Sequence, residues 1–220
     1  MSNEAGQMSK DKKQQTLVPK LRFPEFRDAG EWSESILTDI CDINPPHDGL
    51  PELFYYIGLE SVETGMLRNS KRIERKNAPS RAQRYLCDGD IIYQTVRPYQ
   101  RNNLLFDFGN EDDYVASTGY AQLRARENVE FLYQLIHTDL FVQRVLAKCT
   151  GSNYPAINSS DLESVNIWIP PDPAEQQRIA DCLSSLDALI AAQAAKLDAL
   201  RAHKRGLMQQ IFPSPEEIET

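Results

Sequence analysis

The run Ile179-Ala-Asp-Cys-Leu183-Ser-Ser-Leu186-Asp-Ala-Leu-Ile190-Ala-Ala-Gln193-Ala-Ala-Lys-Leu197-Asp-Ala-Leu200-Arg-Ala-His-Lys204-Arg-Gly-Leu207-Met-Gln-Gln-Ile211 decides how this chain is built. The numbered positions alternate between steps of four and three residues without a break. That is a two-position heptad seam, the pattern of a coiled coil rather than of a surface helix. A seam this narrow cannot bury itself on one helix. It needs a second helix of similar length, and the remaining sequence offers none. The chain is therefore expected to pair with something, through Ile179, Leu183, Leu186, Ile190, Gln193, Leu197, Leu200, Lys204, Leu207 and Ile211. Two seam positions are polar. Gln193 and Lys204 either set register and orientation at some cost in stability, or Gln193 tolerates burial while Lys204 snorkels near a frayed end.

The ends of the helix are legible too. Asp172-Pro173-Ala174-Glu175 places a carboxylate at the N-cap, proline at the first helical position and Glu at the third. This is a capping box with the preferred first residue. Phe212-Pro213 ends the helix, because a residue before proline is pushed out of the helical region. A rod of this length measures roughly 58 Å.

Upstream lie roughly 150 residues, ample for a packed core. The predicted organisation is a disordered polar tail over 1–16, a globular domain over 17–170, the long helix over 171–213 and an acidic tail over 214–220. Leu21 to Trp32 reads as an extended lead-in with Pro19 and Pro24 blocking helix and Phe26 and Trp32 as packing anchors. Strands are expected at Phe54–Leu59, on both sides of the Asp88-Gly89 turn within Tyr85–Val96, at Leu104–Phe108, at Tyr114–Leu123 and at Val165–Ile169. Val129–Cys149 has helical spacing, and Asn158–Leu162 reads as a short capped turn. Mixed strands and helices in irregular order predict an α+β domain followed by a long C-terminal coiled-coil helix.

The formal net charge is −8, which by itself disfavours nucleic acid. Its distribution does not. Arg68, Lys71, Arg72, Arg75, Lys76, Arg81, Arg84, Arg97 and Arg101 stand against only Glu74, Asp88 and Asp90 in one stretch, a local balance of +6. Such a stretch is either a positive patch on an acidic protein or a solvated loop without a partner. Cys41, Cys87, Cys149 and Cys182 are far apart, with no histidine at ligand spacing, so they read as free thiols rather than a zinc site. No long apolar run or signal pattern is present, which predicts a cytoplasmic protein without a membrane span. Catalytic motifs are missing: there is no phosphate loop, no glycine fingerprint and no nucleophile-histidine-carboxylate set. Asn44-Pro45-Pro46-His47 is similar to the Asn/Asp-Pro-Pro-aromatic loop of amino-methyltransferases. It has His at the aromatic position and no cofactor loop beside it, so it is read as a turn after a strand.

Two stretches together resemble a known family. Leu17-Val-Pro-Lys-Leu-Arg-Phe-Pro-Glu-Phe-Arg-Asp-Ala-Gly-Glu-Trp32 is similar to the lead-in of a target-recognition domain in specificity subunits of type I restriction–modification enzymes. Ile169-Pro-Pro-Asp-Pro-Ala-Glu-Gln-Gln-Arg-Ile-Ala180, the long helix and Lys204-Arg-Gly-Leu-Met-Gln-Gln-Ile-Phe-Pro213 resemble the spacer helix of those subunits. Gly89-Asp90-Ile91-Ile92 and Thr150-Gly151-Ser152 sit where such domains carry similar turns. The family's usual subunit has two recognition domains and two spacers packed antiparallel; this chain has one of each and looks like a half subunit.

The resemblance implies a subunit with no catalysis and no cofactor of its own. Its partners would be double-stranded DNA, methyltransferase subunits and, in some systems, translocating nuclease subunits, with a second copy of the chain pairing through the helix. On this reading the cations of the 68–101 stretch mostly hold phosphates, and Gln94, Thr95, Arg97, Tyr99, Ser117, Thr118, Ser152, Asn153 and Tyr154 are the candidate base readers. Each of these is equally readable as a turn former or a core hydroxyl. The competing reading is an interaction adaptor, a coiled-coil protein whose head binds protein and not DNA.

Overall fold

A computed structural model describes residues 16–109, 111–151 and 153–212. The predicted tails therefore lie outside the described residues, apart from Thr16, as do Ser152 and Pro213. In chain order the elements are β1 Thr16–Leu17, β2 Trp32–Ile36, β3 Cys41–Ile43, β4 Leu53–Ile57, β5 Val62–Glu63, β6 Met66–Leu67, β7 Lys71–Glu74, β8 Ala82–Tyr85, β9 Asp90–Gln94, β10 Leu104–Leu105, β11 Tyr114–Ser117 and β12 Tyr120–Ala125. Then come α1 Val129–Ile136, α2 Asp139–Lys148, α3 Ser159–Glu163, β13 Asn166–Ile169 and α4 Pro173–Ile211. The fold is α+β.

Three sheets organise the globular unit. Their strand orders are β1-β2-β13, β10-β9-β12-β3 and β7-β4-β11-β8, and β5 and β6 form a separate pair. All pairings are antiparallel except β11 with β4. β9 explains the layering. Its residues Asp-Ile-Ile-Tyr-Gln are buried at every position, so neither face meets water. Side chains alternate across a strand. Ile91 and Tyr93 therefore join the core formed with Leu132, Ile136, Phe141 and Val145 of α1 and α2. Ile92 joins Ile57, Ala116 and Phe106 on the side of the third sheet. The second sheet is thus held between helices and another sheet, and the Tyr93 ring meets Phe141 edge-on at 5.8 Å between centroids.

Several expectations change in detail. Tyr114–Leu123 is not one strand: the chain leaves the third sheet at Ser117 and enters the second at Tyr120. Leu104–Phe108 is extended only at its first two residues. The helical stretch 129–149 is two helices, because Asn128 and Thr138 each accept a hydrogen bond from the backbone N–H three residues on and start a helix of their own. Lys71–Glu74, read as part of a basic loop, is a strand paired with β4.

The described residues fall into two units divided after Gln177. The first turn of α4 belongs to the globular unit. Asp172 caps it, its Oδ1 accepting from Ala174 N at 2.8 Å. Glu175 does not complete a reciprocal box in the expected way. Its carboxylate is taken by Arg22 and by the indole N–H of Trp32. In the second unit the helix continues to Ile211 with its seam in solvent: Leu186, Ile190, Leu197, Leu200, Leu207 and Ile211 are all exposed. No described helix is long and apolar enough to cross a membrane.

Candidate nucleic-acid interface

Several strand ends meet where β11 turns into β12. Thr118 N donates to Arg81 O at 2.8 Å, which ties that turn to the start of β8. Thr95, just past β9, donates to Gly119 O through both its backbone N–H and its hydroxyl, at 3.0 and 2.8 Å. A Cβ at Gly119 would stand 2.9 Å from the Leu59 side chain, so this close approach requires glycine. The chain after Thr95 is bound to the 150–157 loop: Ile157 N donates to Thr95 O at 3.1 Å and Arg97 N to Pro155 O at 2.7 Å.

On the other flank, Asn44 is held in a left-handed conformation at φ 51°. Its backbone N–H and its side-chain oxygen exchange hydrogen bonds with Gln122 at 2.7 and 3.0 Å, and its amide donates to Ser159 Oγ at 2.9 Å. His47 Nε2 lies 3.1 Å from Gln83 O. The result is a hydrogen-bonded belt of loops and strand ends over 44–49, 81–84, 95–101, 117–119, 150–151 and 153–159. Beside His47, a cleft of 430 Å³ is lined by Asn44, Pro45, Gln83, Arg84 and Gln122 among others.

The belt is anchored from below by Asp90. This carboxylate is fully buried. It accepts from Cys87 N at 2.6 Å, Gln122 Nε2 at 2.7 Å, and Arg124 Nε and Nη2 at 2.8 and 2.9 Å. A buried charge persists only when paired and hydrogen-bonded, and all four contacts meet that demand.

The nine basic residues of the 68–101 stretch do not form one patch. Arg68 pairs with Glu63 at 3.1 Å and Lys76 with Glu74 at 2.7 Å, while Arg75 pairs with Glu52 and Arg101 with Asp139. Lys71 and Arg72 lie on β7 at the edge of the third sheet, with Arg72 over the Tyr55 ring at 5.8 Å. Arg81, Arg84 and Arg97 lie on the belt, and none has an acid partner among the described residues. Arg84 is half-buried, its Nε reaching only Tyr120 O at 3.5 Å, and burial pulls its guanidinium pKa down. Arg97 stacks over Tyr154 at 4.3 Å. Three uncompensated cations on one loop belt make a local positive rim on an otherwise acidic protein.

The candidate readers separate in the same way. Gln94, Thr95 and Ser117 are buried. Gln94 Nε2 donates to Gln100 Oε1 at 2.9 Å, and Ser117 Oγ accepts from Gly119 N at 3.2 Å. They hold the loops in shape rather than reach outward. Tyr99 and Tyr154 are exposed, as is Asn153. Asn44, His47 and Gln83 also lie on this belt, outside the residues that the sequence marks as candidate readers. The Asn44-Pro45-Pro46-His47 stretch is the signal for two of them, although as a sequence it reads only as a turn. Backbone strain marks the same place. Arg97 and Arg101 both sit at φ 55°, flanking the 3-10 turn Pro98–Gln100. A left-handed non-glycine residue costs roughly 1–2 kcal/mol.

Comparison with known proteins agrees with this architecture. A specificity subunit of a type I restriction enzyme, HindI, from Haemophilus influenzae is 28% identical over 168 residues, covering 71% of this chain and 35% of that protein. The crystal structure of the HsdS subunit from Thermoanaerobacter tengcongensis aligns with a TM-score of 0.63 at 28% identity, over 84% of this chain and 50% of that one. The S subunit of a type I restriction–modification system from M. genitalium shares the fold at a TM-score of 0.58 and 17% identity, over 84% and 46%. The chain thus spans half or less of the length of these relatives. The family model of the type I restriction modification DNA specificity domain matches residues 30–202. With its layered α+β unit, its loop belt and its long C-terminal helix, this chain belongs to the type I restriction modification DNA specificity domain family.

Proposed function

We propose that this chain acts as a specificity subunit that directs a type I methyltransferase complex to a bipartite DNA site. The globular part, residues 17–170, is the target-recognition domain, and the helix over 171–213 is the spacer. The observation that carries the reading is the loop belt, where Arg81, Arg84 and Arg97 stand without acid partners among exposed polar and aromatic side chains. Phosphate contacts position a protein on duplex DNA, and groove contacts to base edges specify the sequence. Arg81 and Arg84 suit the first task. Arg97, Tyr99, Thr118, Ser152, Asn153 and Tyr154 supply candidates for the second, with Lys71 and Arg72 as outlying phosphate contacts.

The chain supplies no catalysis; methyl transfer belongs to the methyltransferase subunits it docks, and cleavage to any translocating nuclease subunit that joins them. The exposed seam pairs two copies antiparallel about a point near Gln193, which joins two recognition domains in one assembly. A closed two-fold pair is the commonest solution for a self-complementary surface.

Binding of the full chain to random duplex DNA across a salt series, alone and with its methyltransferase, tests the reading. Affinity should fall steeply with salt, because bound phosphates release counterions. Absence of binding in both arrangements would favour a protein-interaction adaptor.

A further inference from the structure

Of the cations on the belt, Arg97 is built differently from the rest. Arg81 is exposed and its side chain makes no hydrogen bond or ion pair among the described residues, which suits a phosphate, a target that tolerates a mobile charge. Arg84 is half-buried and directed at a backbone carbonyl. Arg97 is held in place at three points. Its backbone is fixed at φ 55°, its N–H is tied to Pro155 O at 2.7 Å, and its guanidinium lies over the Tyr154 ring at 4.3 Å. The Tyr154 ring is itself 64% exposed, so the stack stands at the surface. None of the five guanidinium N–H donors is engaged within the described residues.

A planar fork seated over an aromatic ring, with its donors free, is preorganised for a flat double acceptor. Preorganisation matters for reading a base and little for holding a phosphate, because a base contact must exclude wrong geometries. In the major groove only guanine presents two acceptors, O6 and N7, to one bidentate donor. Adenine presents one acceptor and one donor, so a donor-only fork is mismatched there.

We propose that Arg97 is the guanine-reading residue of this domain, and that Tyr154 is a positioning residue that fixes the plane of its guanidinium. The assignment rests on the DNA-targeting reading above and adds the identity of one base. The left-handed backbone at Arg97 belongs to the same device, since it carries a side chain that lies over the Tyr154 ring.

The test is the methylated motif in cells that express the full chain with its cognate methyltransferase, compared for wild type, Arg97→Lys, Tyr154→Phe and Tyr154→Ala. Arg97→Lys keeps the charge and loses the fork. Its motif should lose the requirement for guanine at one position of the half-site, keep every other position, and show discrimination at that position reduced about 10- to 100-fold. Tyr154→Phe keeps the ring face and should leave the motif intact, whereas Tyr154→Ala should relax the same guanine. An unchanged motif for Arg97→Lys at full methylation overturns the assignment. A uniform loss of methylation with the motif preserved also overturns it, because that is the behaviour of a phosphate contact. If the wild-type chain yields neither methylation nor duplex binding, the DNA-targeting reading falls and this assignment falls with it.

Discussion

Arg22 and Glu175, at a sequence separation of 153, meet in a two-pronged ion pair, with Nε and Nη2 donating to the two carboxylate oxygens at 2.7 and 2.6 Å. Nη1 of the same guanidinium donates to Gly30 O at 2.6 Å, and Trp32 Nε1 reaches the carboxylate at 3.3 Å. The lead-in is thereby fastened to the first turn of α4. The carboxylate also lies near the positive end of the helix dipole.

Glu175→Gln keeps the shape and removes the charge that Arg22 faces. It should lower the thermal midpoint by several degrees, read by circular dichroism. Arg22→Lys should do the same, because a lysine cannot make the two parallel bonds. If both variants melt like the wild type, the clamp contributes no stability.

Arg124→Ala leaves the buried Asp90 with only the Cys87 N–H and the Gln122 amide. Breaking a buried pair costs several kcal/mol, but the outer edge of Arg124 is in water, so about 2 kcal/mol is expected. Urea denaturation measures it as a shifted midpoint with an unchanged slope.

The nine cations of the 68–101 stretch should divide by their partners. Arg81→Ala and Arg84→Ala should weaken binding to all duplexes alike and flatten the salt slope by about one unit each. Arg68→Ala, Arg75→Ala and Lys76→Ala should change little, because each of these cations already faces a carboxylate. Equal effects across both groups would mean that the belt is not the DNA-facing surface.

Leu197→Asp places a charge in the middle of the exposed seam of α4. Light scattering at micromolar concentration should show a dimer for the wild type and a monomer for the variant. A monomeric wild type would remove the proposed pairing.

How much of this was legible depends on how local the signals are. The long helix could be read with little loss, because heptad spacing, the Asp172 cap and the stop before Pro213 all lie within a few residues of what they determine. The break between β11 and β12 could not. It depends on Gly119 fitting against Leu59, which a local pattern of apolar residues does not record. Lys71–Glu74 reads as a charged loop, and it becomes a strand only through pairing with β4. Glu175 has the right place for a capping box, but a guanidinium from the distant lead-in takes its carboxylate.

The candidate interface shows the same limit. Arg97 and Tyr154 were identifiable by residue type, and so was the basic excess around Arg97. That Arg97 meets Tyr154 while Arg75 and Arg101 are neutralised follows from tertiary contacts between distant segments. Gln94, Thr95 and Ser117 have the right chemistry for reading bases, yet the fold uses them internally.

In the proposed assembly two copies of this chain, joined through α4, target DNA as one two-fold reader. Two identical heads related by a two-fold must read an inverted repeat, with half-sites on one face of the duplex about one helical turn apart. Mapping methylated adenines in DNA from cells that express this chain with its cognate methyltransferase, and with no other specificity subunit, measures this directly. The account predicts a single interrupted palindrome, lost with Leu197→Asp. A motif with two unrelated halves, or no methylation above that of the methyltransferase alone, would contradict it.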